Sequence, residues 1–430
     1  VKSWFACLCA ALAIPAFAAP ARYVDVSVAP PSLGRAAASQ AHPVVATDGR
    51  DFLAVWLDNR GSSSVYGTRV LADGTVLDPS GILISAPGNA CGSSCTGLSL
   101  TWDGSNYVVV WQSGTGLSFT RVSRDGTVLD ASKTLFLTYF AQPSIASNGH
   151  GSVVIAGSSG GFLCARISQD GLFTQRATLP IAHEMQIASN GDGYLAFWAD
   201  SRTHLLRLDD NGDMVAGSEQ QLTEANYTQL TAGIGGPYLL SGSFGSTCVQ
   251  RLPGRLVASS GPSAPFLIYD AGGEDIGSFS VSPDRNGFQF VWMKRLGPYP
   301  CKPVNDSDPP SFTDPDPPFG LAQIHVGADG SVGPASTLAG GTVSHLQPMV
   351  ASNGATQLLV WIETSDAYQN LRIAAAITHP GEQLVPIPIA SSAAPQSSPA
   401  IAAAENMFMT AWTEANPIDE RTTIYAKRFT

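Results

Sequence analysis

Residues 43 to 87 read Pro43-Val-Val-Ala-Thr-Asp-Gly-Arg-Asp-Phe-Leu-Ala-Val-Trp56, then Val65-Tyr-Gly-Thr-Arg69-Val70, Asp73-Gly74-Thr-Val-Leu-Asp78 and Ile82-Leu-Ile-Ser-Ala-Pro87. Four β-rich runs are separated by sharp corners. Asp48-Gly49 sits between two apolar stretches, and such pairs turn a chain because glycine accepts positive φ. The second run ends in Trp56, the third carries Arg69, and Asp73-Gly74 makes a second tight turn into a short fourth run.

The same order recurs along the chain. The first corner returns as Asp103-Gly104, Asn148-Gly149, Asn190-Gly191 and Asn353-Gly354, and the tryptophan as Trp111, Trp198, Trp292, Trp361 and Trp412, with Ala156 and Gly242 standing in copies three and five. The third-run arginine recurs as Arg121, Arg166, Arg207, Arg251 and Arg428, with His325 and Ala376 in its place elsewhere. Copies begin near residues 43, 98, 143, 185, 228, 279, 348 and 399, a spacing of 42 to 69 residues. Self-similarity at this period with four short strands per copy specifies an all-β fold, an eight-bladed β-propeller. Seven blades is the alternative, since copy five lacks its tryptophan and has only the Gly235-Gly236 corner and Cys248-Val-Gln-Arg251 to recommend it.

The eighth copy stops at Thr430 without a fourth strand, while Tyr23-Val-Asp-Val-Ser-Val-Ala-Pro30 is a β-like piece with no copy of its own. An exposed sheet edge is a liability that proteins cover. Residues 23 to 28 are therefore expected to complete the last blade.

The pattern Pro-x-Val-Ala-x-Asp-Gly followed by Leu-Ala-Val-Trp-x-Asp-Asn-Arg, as in Pro43 to Arg60, resembles repeats of secreted and cell-surface bacterial β-propeller proteins. The resemblance implies a fold and an extracellular setting, not a reaction. It differs from the sialidase Asp-box, Ser-x-Asp-x-Gly-x-x-Trp, which joins the third and fourth strands; the nearest match here, Thr101 to Tyr107, joins the first and second.

One positive charge, an apolar run from Trp4 to Ala16 and Ala16-Phe17-Ala18 predict a signal peptide over residues 1 to 18, leaving one domain over 19 to 430 that is secreted, periplasmic or displayed at the cell surface. No membrane span is expected. A net charge of -11 without a basic run argues against nucleic acid. Cys91 and Cys95 suit a small disulfide loop in such a setting, Cys164 reads as a buried strand residue, and no metal-ligand spacing accompanies them.

Function in such a ring is grafted on the loops of one face, where second strands pass to third strands and blades join. Asp58, Asp200, Glu363 and Glu414 lie there and are the candidate catalytic carboxylates; Arg60 and Arg202 could hold an acidic group. Each also fits a local salt bridge or turn cap copied because every blade needs one. Copy six carries a proline-rich insertion over 295 to 320, whose Asp306, Asp308, Asp314 and Asp316 are candidate calcium ligands without the spacing of a known calcium loop; no other cofactor is implied. The expectation is a monomeric protein that binds a glycan or protein partner at the loop face; the alternative is a carbohydrate-active hydrolase or lyase using two loop carboxylates.

Overall fold

The structure, a computed structural model, describes residues 23–27, 40–60, 62–73, 75–90, 97–114, 116–136, 143–158, 161–179, 184–223, 227–246, 249–272, 276–296, 318–353, 356–364, 372–378, 385–388, 396–405, 407–415 and 421–429. Residues 1 to 18, Cys91, Cys95 and the insertion residues 297 to 317, with Asp306, Asp308, Asp314 and Asp316, lie outside them.

Every regular element among the described residues is a strand, and the strands form eight antiparallel sheets. The protein is an eight-bladed β-propeller. In blade 1 the order from the centre outward is Gln40–Thr47, Phe52–Asp58, Ser64–Val70 and Ile82–Leu83, the order of the sequence. The inner strands touch in succession around the ring, and Gln396–Ala404 of blade 8 packs against Gln40–Thr47 of blade 1. Blade 8 takes its outermost strand from Tyr23–Ser27, with Tyr23 opposite Phe429 and Ser27 opposite Tyr425.

The tryptophans explain how the sheets adhere. Trp56, Trp111, Trp198, Trp292, Trp361 and Trp412 are all fully buried, each on a second strand and each packed on the preceding blade. Trp56 meets Ala411, Ile424 and Ala426 of blade 8, and Trp111 meets Val55, Leu57 and Val65 of blade 1. A buried indole removes about 200 Å² from water, about 5 kcal/mol at the usual area coefficient.

The third-strand arginines work at the opposite face of the ring and in the opposite direction around it. Arg69 makes two bonds of 2.9 Å to Asp78, nine residues on in its own blade, and Arg121 repeats this with Asp130 at 2.7 and 3.1 Å. Both then lie against the turn of the following blade. A Cβ on Gly126 would stand 2.6 Å from Arg69 Nε, and one on Gly171 2.5 Å from Arg121 Nη2. The guanidinium groups of Arg121, Arg207 and Arg428 also donate to Gln169, Ala258 and Ala72 carbonyls of the next blade. At Gly126 and Gly171 the glycine thus both bends the chain and admits a neighbour's arginine, whereas Gly212 faces Val153 and Gly330 faces Leu256.

Two expectations are corrected. In blade 5 the arginine position, opposite Leu239 as Arg69 is opposite Leu53, belongs to Leu256 and not Arg251. The strand Val249–Ala258 pairs through its second half with Tyr238–Ser241 and through its first half with Phe244–Ser246, and Arg251 instead meets Asp270 at 3.2 Å. In blade 7 the position belongs to Ile377, opposite Leu358, rather than Ala376. A slip of one residue reverses the face a side chain presents, and copies without arginine carry no marker of register. Blade 5 nonetheless has its own sheet, which removes the seven-bladed alternative.

Deleting residues 19 to 30 uncovers the Thr422–Phe429 edge and is expected to lower Tm by roughly 5 °C or more in a thermal melt followed by circular dichroism. An unchanged melt would show that the strand contributes nothing to the ring.

Candidate functional site

The second strands end at the upper face in Trp-x-acid in four blades: Trp56-Leu57-Asp58, Trp198-Ala199-Asp200, Trp361-Ile362-Glu363 and Trp412-Thr413-Glu414. The structure gives three of these carboxylates partners within the fold. Asp58 is 1% exposed, and its Oδ2 accepts from Gln40 Nε2 at 2.8 Å, Trp56 Nε1 at 3.1 Å and Arg60 Nη2 at 2.7 Å, while Oδ1 accepts the Arg60 backbone N–H at 2.9 Å. Arg60 also donates to the Ser80 carbonyl at 2.8 Å and lies over the Tyr66 ring.

Gln40 connects this carboxylate to the neighbouring blade, because its Oε1 accepts the backbone N–H of Ile424 at 2.8 Å. Gln396 does the same between blades 8 and 7, donating to Glu414 Oε2 at 2.9 Å and accepting from Ile373 N at 2.7 Å. In blade 7 a histidine replaces the glutamine: His345 Nε2 is 3.8 Å from Glu363, which accepts from Trp361 Nε1 at 3.0 Å, and His345 Nδ1 is 3.1 Å from the Phe319 carbonyl of blade 6. In all three blades the acid and an inner-strand side chain meet in a clasp at the upper joint; the indole joins them in blades 1 and 7, while Trp412 Nε1 in blade 8 has no such bond.

Asp200 differs. Its carboxylate is exposed; it accepts the Arg202 backbone N–H at 2.8 Å and lies 3.2 Å from His204 Nε2. Bonding to the Arg202 N–H holds its carboxyl below the usual range. His204 stacks on Trp198 at 5.0 Å, and Arg202 donates to Gln221 at 2.9 Å. Arg60 and Arg202 therefore sit in bonds to their own blades. Cys164 is buried, as expected, and burial pushes its thiol up to about 12, so it is no nucleophile. Among the described residues no group of three or more His, Cys, Asp or Glu side chains could hold a metal.

A cleft of about 700 Å³ opens at the channel mouth, lined by Gln186, Thr228, Gln229, Leu230, Ser243, Ile276, Gly277, Ser278 and Phe279. These belong to the inner strands of blades 4, 5 and 6 and to the blade 5 loop after Gly242. None of the four candidate carboxylates lines it, and neither does Arg60 or Arg202. Gln186 fixes one wall, donating to the Thr228 carbonyl at 2.7 Å and accepting from Leu230 N at 2.9 Å. No motif marks these residues in sequence. The available signal is negative, since they cluster where the repeat is broken.

No protein-family model and no curated protein matches the chain. Solved structures do resemble it. Prolyl endopeptidases match with a TM-score of 0.50 at 12% identity, over 88% of this chain and 53% of theirs. Prolyl oligopeptidase B from Galerina marginata matches with a TM-score of 0.48 at 9% identity, over 88% of this chain and 56% of that one. A protein from Lactobacillus plantarum matches with a TM-score of 0.44 at 12% identity, over 79% of this chain and 97% of that one. The chain spans about half the length of the two peptidases. Likeness at this level concerns the fold.

Burial by itself would raise the Asp58 carboxyl, but the bonds from Arg60, Gln40 and Trp56 outweigh it and hold the carboxyl below its ordinary value of 3.8. A depressed folded value stabilises the protein above 3.8, and the benefit disappears as pH falls through the folded value. Asp58→Asn is expected to cost about 2 kcal/mol in denaturant unfolding at pH 7, with the gap to wild type narrowing at pH 3. A gap that stays constant with pH would remove the charge from this account.

Proposed function

We propose that the protein is a binding propeller, which holds a polar partner at the channel mouth of its upper face and performs no chemistry on it. The apolar run at residues 4 to 16 supports a place of action outside the cytoplasm. The observation that carries the binding reading is the separation of the acids from the cleft. Glycoside hydrolysis needs two carboxyl groups roughly 5 to 10 Å apart across the scissile bond. Here Asp58, Glu363 and Glu414 are engaged in holding blades together, Asp200 stands in a different blade from all three, and among the described residues the cleft lining contains no titratable side chain.

A general acid or base must also be able to exchange its proton with a substrate. Asp58 is closed off from solvent by its own partners. Asp200 is exposed and has a histidine neighbour, but its partners are the Arg202 N–H and His204 and include no second carboxylate.

Polysaccharides and peptides incubated with the protein should yield no new reducing ends, unsaturated ends or amino termini, while one class is retarded on a column of immobilised protein. Product formation that disappears in Asp200→Asn would reverse the reading in favour of a hydrolase or lyase.

A further inference from the structure

We infer that the cleft spanning blades 4 to 6 binds an uncharged oligosaccharide. This rests on the reading of the upper face as a binding surface and goes further by assigning the residues and the ligand class.

The first argument is location. Most conspicuous residues recur because every blade needs them, so a ligand site belongs where copying stops. Three departures from the repeat meet at this cleft. Blade 5 has Gly242 in place of tryptophan, directly before the lining residue Ser243. Its inner strand, Gln229–Ala232, has four residues, against eight in Glu184–Gly191 and nine in Ile276–Asp284 on either side. The inner strands of blades 1, 7 and 8 bulge opposite the tryptophan, at His42-Pro43, Gln347-Pro348 and Ser398-Pro399, whereas blade 6 bulges one position along, at Gly277-Ser278 opposite Met293, and sets Phe279 against Trp292. Blade 3 shares the short inner strand and the absent indole, with Ser144–Ser147 and Ala156, so it is the displaced bulge of blade 6 beside blade 5 that sets this point of the circle apart.

The second argument is chemistry. At about 700 Å³ the cleft falls within the range of small-molecule sites, about 300 to 1,000 Å³. Among the described residues its lining has no Asp, Glu, Lys, Arg or His, so a charged ligand would lose hydration without meeting a counter-charge from them. What it offers is hydroxyl groups from Thr228, Ser243 and Ser278 and an amide from Gln229, beside the apolar Leu230, Ile276 and Phe279. Ser278 donates to Met293 Sδ at 3.0 Å, which leaves its oxygen lone pairs to accept. The Phe279 ring is steadied by Phe290, 6.3 Å away and inclined by 23°. A sugar ring has this same division, hydroxyls at its rim and C–H groups on its face, so the rim can bond to the hydroxyls and amide while the face lies on Phe279.

The test uses the full chain on an array of uncharged, acidic and basic oligosaccharides, with hits measured by calorimetry. Uncharged glycans should bind with affinity changing less than about twofold between low and high salt, since no ion pair is screened. Phe279→Ala should weaken binding by about tenfold or more and Ser278→Trp should abolish it, while Arg202→Ala, outside the cleft, stays within about twofold. All three variants are checked for a wild-type melt. Binding only of acidic glycans, preference for a peptide, or undiminished binding in Ser278→Trp each overturns the assignment, and in all three the binding reading stands. Release of shortened or unsaturated products by the wild-type protein overturns the binding reading itself.

Discussion

Adhesion between neighbouring blades is the constraint on which the rest depends. A four-stranded sheet of this size cannot bury its apolar surface alone, and Phe52–Asp58, buried at every position, is stable only with a sheet on each side. The chain meets this with contacts that run both ways around the ring. Tryptophans press back onto the preceding blade, and arginines reach forward to the following one. Since each blade depends on two neighbours, the ring has no natural end, and a free edge on blade 8 would leave Thr422–Phe429 half paired. Tyr23–Ser27 pairs with that edge.

This adhesion also engages the loop acids. Asp58 and Glu414 end second strands at the upper face, where an exposed carboxylate would invite a catalytic interpretation. Each is instead the acceptor for a glutamine from the inner strand, Gln40 or Gln396, whose other amide atom takes a backbone N–H from the adjacent blade. A buried N–H at a strand end must find an acceptor, and the clasp supplies it. In blade 7 His345 takes the glutamine's place but bonds the other way, its Nδ1 donating to the Phe319 carbonyl of blade 6 and its Nε2 standing 3.8 Å from Glu363.

The architecture was legible because its signals are local: glycine corners, a tryptophan at the end of six of the eight second runs, and an arginine at a fixed place in most third runs. Where those markers were absent the register was lost, and Arg251 and Ala376 were placed where Leu256 and Ile377 belong. The glutamines of the clasp were not legible, because Gln40 and Ile424 are far apart in sequence and no spacing rule joins them. Nor was the cleft. Gln186, Gln229, Ser278 and Phe279 are ordinary strand residues in sequence and become neighbours only when three inner strands converge.

The bulges show how the clasp and the cleft are related. His42, Gln347 and Ser398 adopt φ values of 54°, 46° and 51°, a region that costs side-chain-bearing residues about 1 to 3 kcal/mol each. All three occupy one repeat position, two residues after Gln40, His345 and Gln396, and the bulge is what lets those residues lean toward the preceding blade. The strain is therefore offset by inter-blade bonds wherever the clasp is made. Blade 6 bulges one position along, with Gly277-Ser278 opposite Met293 and not opposite Trp292, and it makes no clasp: a Cβ on Gly277 would stand 2.9 Å from Met293. The inter-blade bond at this joint comes instead from Gln250 of blade 5, whose side chain accepts the Ile276 N–H at 2.5 Å. Relieved of its usual task, this stretch of inner strand can vary without loosening the ring, and it is the stretch that lines the cleft.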